Sequence, residues 1–182
     1  MNKTVLYPFR IDTDFQIAYA WSAELSRRLK TKLSLFTTLA STSAEPVADV
    51  YKALAEAQGF YVKHFQLLPF GLRPVKTGRH FLEGEFASRF LAFSLENPPH
   101  LMVLQSDLFS NDLMKDIIHS GCKVIVLPPN EKLKTPLLQK DRMHLFVAIL
   151  QQAALYNIPS SFFSTISQDT GLFNAIAAFF KK

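Results

Sequence analysis

Residues 4–39 read TVLYPFRIDTDFQIAYAWSAELSRRLKTKLSLFTTL and consist of two apolar runs on either side of an amphipathic segment. The first run, Thr4 to Pro8, predicts a short buried strand, and residues 33–39 predict a second one. Asp12 or Thr13 can cap the helix between them. In that helix apolar and small side chains recur at helical spacing, at Phe15, Ala18, Tyr19, Ser22, Leu25 and Leu29. A strand, a helix and a strand in this order predict parallel strands joined by a right-handed crossover.

The alternation of strands and helices continues along the chain. We predict, in order, a helix at 47–60, a weak strand within 75–82, a helix at 85–96, a strand at 100–104, a helix at 112–119 and a strand at 123–127. This order predicts an α/β fold with a doubly wound, Rossmann-like parallel sheet of five strands. The pattern changes after Pro129, so we expect one α/β domain at 1–129 and a mostly helical C-terminal extension at 130–182.

Composition and charge narrow the class of protein. The chain has 182 residues, of which 48% are hydrophobic, and it can bury a core without disulfides or a metal. Cys122 is the one cysteine, which fits a reducing cytoplasm. Because the sequence shows neither a secretory signal nor an apolar stretch that could span a bilayer, we expect a cytoplasmic protein without a membrane anchor. The net charge is +5, but the basic cluster at 27–32 falls at a predicted helix end, so we do not expect nucleic-acid binding.

Several segments, in their order and spacing, are typical of one known family. They are VLYP (5–8), ELSRRL (24–29), LSLF (33–36), EGEFA (83–87), HLMVL (100–104) and CKVIVLP (122–128). Together they resemble the first strand, helix and second strand, the E-G-x-P-A start of the third helix, and the fourth and fifth strands of the universal stress protein family. The resemblance covers the first 129 residues and implies an adenine-nucleotide hydrolase-like fold.

The sequence departs from that family where its nucleotide-binding members hold phosphate. Those members carry a G-x-x-G-x9-G-S/T loop after the fourth strand, whose glycines let backbone amides approach the phosphates. Here Gln105 and Leu108 stand at the first two glycine positions, Asp107 adds a negative charge, and the connection to the fifth strand is shorter. Arg10 stands in place of an acidic residue that contacts adenine, and Asp12 would need a shifted register to replace it. The resemblance therefore implies the non-nucleotide branch of the family, with no cofactor and with ATP or AMP disfavoured.

Polar side chains follow several of the predicted strands. In open α/β sheets ligands bind at the carboxyl ends of the strands, near the point where the strand order reverses. The candidate ligand-binding residues at that edge are Arg10, Asp12, Glu83, Gln105, Ser106 and Asp107. The alternative is that Asp12 caps a helix and that the other side chains are solvated.

Catalytic and metal-binding patterns are weak. His119, Ser120 and Cys122 place nucleophile and base types close together, but at a helix end that leads into a buried strand. The five His residues show no spacing typical of a metal site. We therefore assign no catalytic residue and no metal ligand.

The C-terminal segment carries an apolar stripe. Phe173, Ile176 and Phe180 share one face of a predicted helix at 169–182, and Phe179 adds apolar surface beside them. Such a helix docks on its own domain or on a partner, and a second copy of the chain is the partner that we expect first. These three residues are the candidate partner contacts.

Three hypotheses about function follow. The first is a regulatory or binding module that has no catalytic chemistry and acts as a homodimer or through a protein partner. The second is a stress-related switch that holds an adenine nucleotide in an altered site around Arg10, Asp12 and Gln105. The third is a small-molecule hydrolase or transferase, which lacks a G-x-S-x-G nucleophile elbow in this sequence.

Overall fold

The computed structural model describes residues 3–39, 46–65, 75–120 and 122–127. Strands and helices alternate along them: β1 Thr4–Pro8, α1 Gln16–Leu29, β2 Lys32–Leu39, α2 Pro46–Phe65, β3 Thr77–Glu83, α3 Phe86–Glu96, β4 Leu101–Gln105, α4 Asn111–His119 and β5 Val124–Leu127. The predicted extension at 130–182, with Phe173, Ile176 and Phe180, lies outside the described residues. None of the helices in the described ranges is long and apolar enough to cross a membrane.

The five strands form one parallel sheet in the order β3-β2-β1-β4-β5. In the centre of the sheet, Val5 of β1 pairs with Leu33 on one side and Leu101 on the other. The chain therefore builds outward from β1 in one direction and from β4 in the other. The predicted doubly wound parallel sheet is confirmed, and its strand order reverses between β1 and β4.

Two apolar clusters cover the two faces of the sheet. Val5, Tyr7 and Leu35 face α1 and α2, and the cluster on this side also contains Trp21 and Leu54. The neighbouring strand positions point the other way, to α3 and α4, in a cluster that includes Leu6, Phe36, Phe90, Leu104 and Met114. Because helices cover both faces, the central strands are apolar at most positions, which is why they appear in the sequence as largely apolar runs.

The end of α1 shows how a local sequence stops a helix. Lys30 has a φ of 55°, in the left-handed region. The Lys30 N–H donates to the Arg27 carbonyl at 3.2 Å, and the Thr31 N–H donates to the Ser26 carbonyl at 3.0 Å. These two bonds form a Schellman motif, which satisfies carbonyl groups that the helix leaves unpaired.

The start of α1 differs from the sequence prediction. Phe15, not Asp12 or Thr13, occupies the N-cap position and makes no capping hydrogen bond, whereas the Gln16 N–H donates to Asp14 Oδ1 at 3.4 Å. The Asp12 carboxylate is bound by Arg10, and the Thr13 hydroxyl donates to the Arg10 carbonyl at 3.0 Å. The predicted capping by Asp12 or Thr13 is wrong, because both side chains are used within the loop.

A buried polar cluster joins α1 to α2. Glu24 is only 4% exposed and accepts two hydrogen bonds from the Arg27 guanidinium, at 2.9 and 2.6 Å. The Tyr61 hydroxyl of α2 donates to the same carboxylate at 3.0 Å. Burial, together with the negative charge of Glu24, holds the pKa of Tyr61 well above its ordinary value. The hydroxyl therefore stays protonated and remains a donor.

Candidate functional site

The crevice at the strand reversal lies between the carboxyl ends of β1 and β4. Gln105 is the last residue of β4 and is 1% exposed. Tyr7, on the same face of the sheet, donates its hydroxyl proton to Gln105 Oε1 at 3.0 Å, and the Phe15 carbonyl lies 3.4 Å from the same hydroxyl. A buried hydrogen bond therefore spans the two central strands where this kind of fold opens its ligand crevice.

Aromatic rings fill the space beside that hydrogen bond. Tyr7 and Phe9 are both fully buried, and their rings are stacked with centroids 6.4 Å apart. Phe9 in turn contacts Phe15, at the start of α1, with centroids 4.7 Å apart. These three aromatic side chains therefore occupy the space between the end of β1 and the start of α1.

The loop after β4 is also engaged by the protein itself. The Ser106 N–H donates to the Leu127 carbonyl at 2.9 Å, and the Leu108 N–H donates to the Gln105 carbonyl at 3.2 Å. Leu108 and Phe109 are buried, and Phe109 lies against Phe90 with ring centroids 5.0 Å apart. A phosphate-binding loop needs free amides that point at the anion. The amides of Ser106 and Leu108 are already occupied.

Two acidic side chains act on Tyr7 at the crevice. Burial raises the pKa of Tyr7 well above its ordinary value, and the carboxylates of Asp107 and Asp14 raise that pKa further. Further along the chain, Asp112 in the first turn of α4 pairs with Lys115 at 3.6 Å, and Ser110 caps that helix by accepting from the Leu113 N–H at 3.4 Å. The charges of Asp107 and Asp14 oppose an anion bound beside Tyr7.

Arg10 and Asp12 form an exposed ion pair in the loop after β1. The Arg10 guanidinium binds both carboxylate oxygens of Asp12, one of them at 3.0 Å, and this pairing raises the pKa of Arg10. The side chains remain 47% and 57% exposed. A pair this exposed contributes little to stability and can be opened at small cost.

The structure divides the predicted site residues into separate groups. Gln105, Ser106 and Asp107 lie in sequence at the end of β4, and Arg10 pairs with Asp12 after β1. Glu83 lies on β3, which is the edge strand and is separated from β1 by β2.

Sequence reasoning missed the partners of Gln105. Tyr7, Phe9 and Phe15 are buried beside it, yet the sequence predicts Tyr7 and Phe15 only as parts of a strand and a helix, and it predicts no role for Phe9. The alternation of Val5, Tyr7 and Phe9 on one face was the available signal.

Cys122 lies at the opposite, amino-terminal edge of the sheet, just before β5. Its Sγ is 3.7 Å from the Pro99 carbonyl, and burial raises the pKa of the thiol. A thiol with a raised pKa is a poor nucleophile. Among the described residues, no group of three or more His, Cys, Asp or Glu side chains could hold a metal ion.

Two surface pockets lie away from the crevice. One, of about 440 Å³, lies between α3 and α4, where Leu95 is 76% exposed beside Pro98 and Pro99. The other, of about 170 Å³, lies between α2 and the pair β2-β3 and includes Arg79 in its lining.

Comparison with solved structures points to one kind of fold. The universal stress protein from Archaeoglobus fulgidus, in complex with dAMP, has a TM-score of 0.50 at 16% identity, covering 69% of this chain and 98% of that one. A universal stress protein in complex with cAMP has a TM-score of 0.48 at 13% identity, covering 68% and 95%. A member of the same family from Burkholderia pseudomallei has a TM-score of 0.39 at 15% identity, covering 70% and 96%. No protein-family model and no curated protein matches the chain.

The similarity to the Archaeoglobus protein establishes the fold. The chain contains a universal-stress-protein-like α/β unit, as the sequence segments predicted, with the parallel Rossmann-like sheet of that fold. That protein is covered almost completely by 69% of this chain. The boundary at residue 129 and the extension beyond it stay predictions.

Proposed function

We propose that this chain is a binding module with a universal-stress-protein-like fold that holds no adenine nucleotide in the crevice between β1 and β4. It acts through dimerisation or contact with a protein partner, in the cytoplasm, and has no catalytic chemistry. The observation that carries this proposal is the buried Tyr7–Gln105 hydrogen bond across the two central strands.

Opening the crevice to a nucleotide has several separate costs. The Tyr7 hydroxyl and Gln105 would lose a buried hydrogen bond, which is costly unless the ligand replaces it. The Phe9 ring would leave a fully buried position. The phosphates would then meet Asp107 with two loop amides already occupied. These costs support a site that has been closed by its own side chains.

A second candidate is an adenine-nucleotide switch with an altered site. It is favoured by the fold neighbour from Archaeoglobus fulgidus, which is described in complex with dAMP, and by the exposed Arg10 after β1. Arg10 could leave Asp12 at small cost and meet a phosphate. We rank this candidate second, because Arg10 alone does not offset the closed crevice.

The experiment that separates the two candidates is a thermal-shift series on the full chain. AMP and ATP are added at millimolar concentration with Mg²⁺, and pyrophosphate at the same ionic strength is the control. We expect no shift beyond the pyrophosphate control. A shift of several degrees with AMP or ATP alone would establish the nucleotide switch instead.

The assembly is tested on the same samples by size-exclusion chromatography with light scattering. We expect the mass of a dimer for the full chain. Replacing Phe173, Ile176 and Phe180 together by Ser should give a monomer with an unchanged far-ultraviolet circular dichroism spectrum. A monomeric wild-type chain would contradict the homodimer and leave contact with a different protein as the mode of action.

A further inference from the structure

The pocket between α2 and the pair β2-β3 has the features of a small ligand site. We call it the Arg79 pocket; it has a volume of about 170 Å³ and is lined by Tyr19, Leu35, Tyr51, Leu54, Ala55, Gln58, Thr77 and Arg79. Three of its lining residues, Leu35, Leu54 and Tyr19, are at most 5% exposed, and the two leucines are apolar. Its rim carries the polar groups of Gln58, Thr77 and Arg79.

Neighbouring aromatic rings hold Arg79 in place. Its guanidinium carbon lies 5.1 Å from the centre of the Tyr51 ring, a cation–π distance. The Tyr51 ring packs edge-on against Phe81, two residues after Arg79 on β3, with centroids 5.6 Å apart. Arg79 therefore loses little further side-chain freedom when it binds a ligand.

Arg79 has no acidic partner among the described residues, unlike Arg10 and Arg27. Arg10 binds Asp12 and Arg27 binds Glu24, each through two hydrogen bonds. Within residues 3–39, 46–65, 75–120 and 122–127, no ion pair joins Arg79 to a carboxylate. The Arg79 charge acts on Tyr19, another residue of the lining: it lowers the pKa of the Tyr19 hydroxyl, although burial raises that pKa by more.

The chemistry of the lining defines the class of ligand. A guanidinium presents paired N–H donors that match the two oxygens of a carboxylate. The lining also contains Tyr19, Thr77 and Gln58, whose hydroxyl and amide groups can donate hydrogen bonds, and the apolar residues Leu35 and Leu54. The volume of about 170 Å³ is below the roughly 300–1,000 Å³ typical of pockets for larger organic ligands, so this pocket suits a small one.

We propose that the Arg79 pocket binds a small organic monocarboxylate with a short apolar or aromatic body, of about the size of benzoate. The carboxylate receives the paired hydrogen bonds of Arg79, and the body lies on Leu35, Leu54 and the Tyr19 ring. This site is separate from the crevice between β1 and β4, so it does not depend on whether a nucleotide binds there.

The test is a titration of the full chain with benzoate, followed by amide chemical shifts in nuclear magnetic resonance spectra. Benzamide, which has the same shape without the charge, and phenyl phosphate are titrated in parallel. We expect saturable shifts for benzoate in the millimolar range at the amides of β3 and α2, and much weaker effects with benzamide. Equal binding of benzamide, or binding of phenyl phosphate without benzoate, would overturn the proposal.

Matched variants separate the guanidinium from general charge. Arg79→Met should weaken benzoate binding at least tenfold. Arg79→Lys keeps the positive charge but loses the paired N–H donors of the guanidinium, so it should weaken binding by a smaller factor. Arg89→Met on α3 removes an exposed arginine from the other face of the sheet and should leave benzoate binding unchanged. Undiminished binding by both Arg79 variants, with melting temperatures near that of the wild type, would show that Arg79 only covers the Tyr51 ring.

Discussion

Tyr7 and Gln105 are two polar residues that pair in the interior of the sheet. Each is a polar side chain in a strand that is otherwise apolar, and each is at most 1% exposed. Buried polar groups need partners, because an unpaired one loses its hydration without compensation. These two satisfy each other across 98 residues of sequence. The hydrogen bond joins β1 to β4 in the centre of the sheet, and in our proposal it also closes the crevice.

The first prediction concerns this pair. Tyr7→Phe should lower the free energy of unfolding by about 1–3 kcal/mol, because Gln105 Oε1 is left buried and unpaired. Gln105→Met should also destabilise the protein, because the buried Tyr7 hydroxyl loses the acceptor Gln105 Oε1. Urea unfolding of both single variants and of the double variant measures the coupling. The double variant should lose less than the sum of the two single losses, and strict additivity would contradict the interaction.

At the scale of elements, α2 shows where sequence reasoning fell short. The sequence predicted a helix at 47–60, but α2 extends from Pro46 to Phe65. Gly59 lies inside the helix, although glycine is a poor helix former. The helix continues because Tyr61, one turn further along the same face as Ala57, reaches Glu24 on α1. Tertiary contact therefore overrides local propensity here.

Gly59 gives the second prediction. A Cβ built at Gly59 meets nothing within 4 Å, so Gly59→Ala should stabilise the protein by about 0.5–1 kcal/mol through helix propensity. Gly84→Ala is the contrasting variant. Gly84 has a φ of 120°, and a Cβ there would lie 2.8 Å from Arg89 Nε, so this variant should be destabilised. Urea midpoints should move in opposite directions, and a loss of stability in Gly59→Ala would contradict this account of α2.

The third prediction concerns three buried tyrosines in the layer formed by α1, α2 and the adjacent strands. Burial raises the pKa values of Tyr7, Tyr19 and Tyr61 above their ordinary value of 10.0. In the unfolded chain these tyrosines lose protons near pH 10, whereas in the folded protein they keep them. Their contribution to stability is therefore complete below about pH 10 and falls above it, by up to about 1.4 kcal/mol per pH unit for each tyrosine.

This prediction is measured by urea unfolding at a series of pH values between about 8 and 11. The free energy of unfolding should decline above pH 10, and Tyr61→Phe should show a shallower decline than the wild type. Identical slopes in the two proteins would mean that Tyr61 does not keep its proton in the folded state.

Features of the fold that depend on local sequence patterns could be predicted, whereas features that depend on contacts between distant segments could not. The order of strands and helices followed from periodicity, because covering a sheet on both faces imposes apolar runs such as residues 101–104. The start of α1 was predicted incorrectly, since Asp12 is bound by Arg10 instead of capping the helix. The filling of the crevice and the Arg79 pocket depend on contacts between distant segments, and no local pattern encodes them.

For the whole molecule, the strand order β3-β2-β1-β4-β5 places the reversal point between β1 and β4. A doubly wound sheet offers a crevice there, but a fold does not by itself determine function. In this chain Tyr7, Phe9 and Gln105 are buried next to the reversal point, and we propose that they fill the crevice. The proposed function rests on that filling, while the Arg79 pocket on the neighbouring part of the sheet offers a different kind of ligand site.

The most direct test of the closed crevice is a calorimetric titration of dAMP and of ATP with Mg²⁺ into the full chain. The same titration is made with the variant Tyr7→Phe/Gln105→Gly, which removes the hydrogen bond that spans the crevice. We predict no saturable heat for the wild-type chain with either nucleotide. Saturable binding of one nucleotide per wild-type chain, weakened by Arg10→Ala, would contradict the closed crevice and establish a nucleotide site.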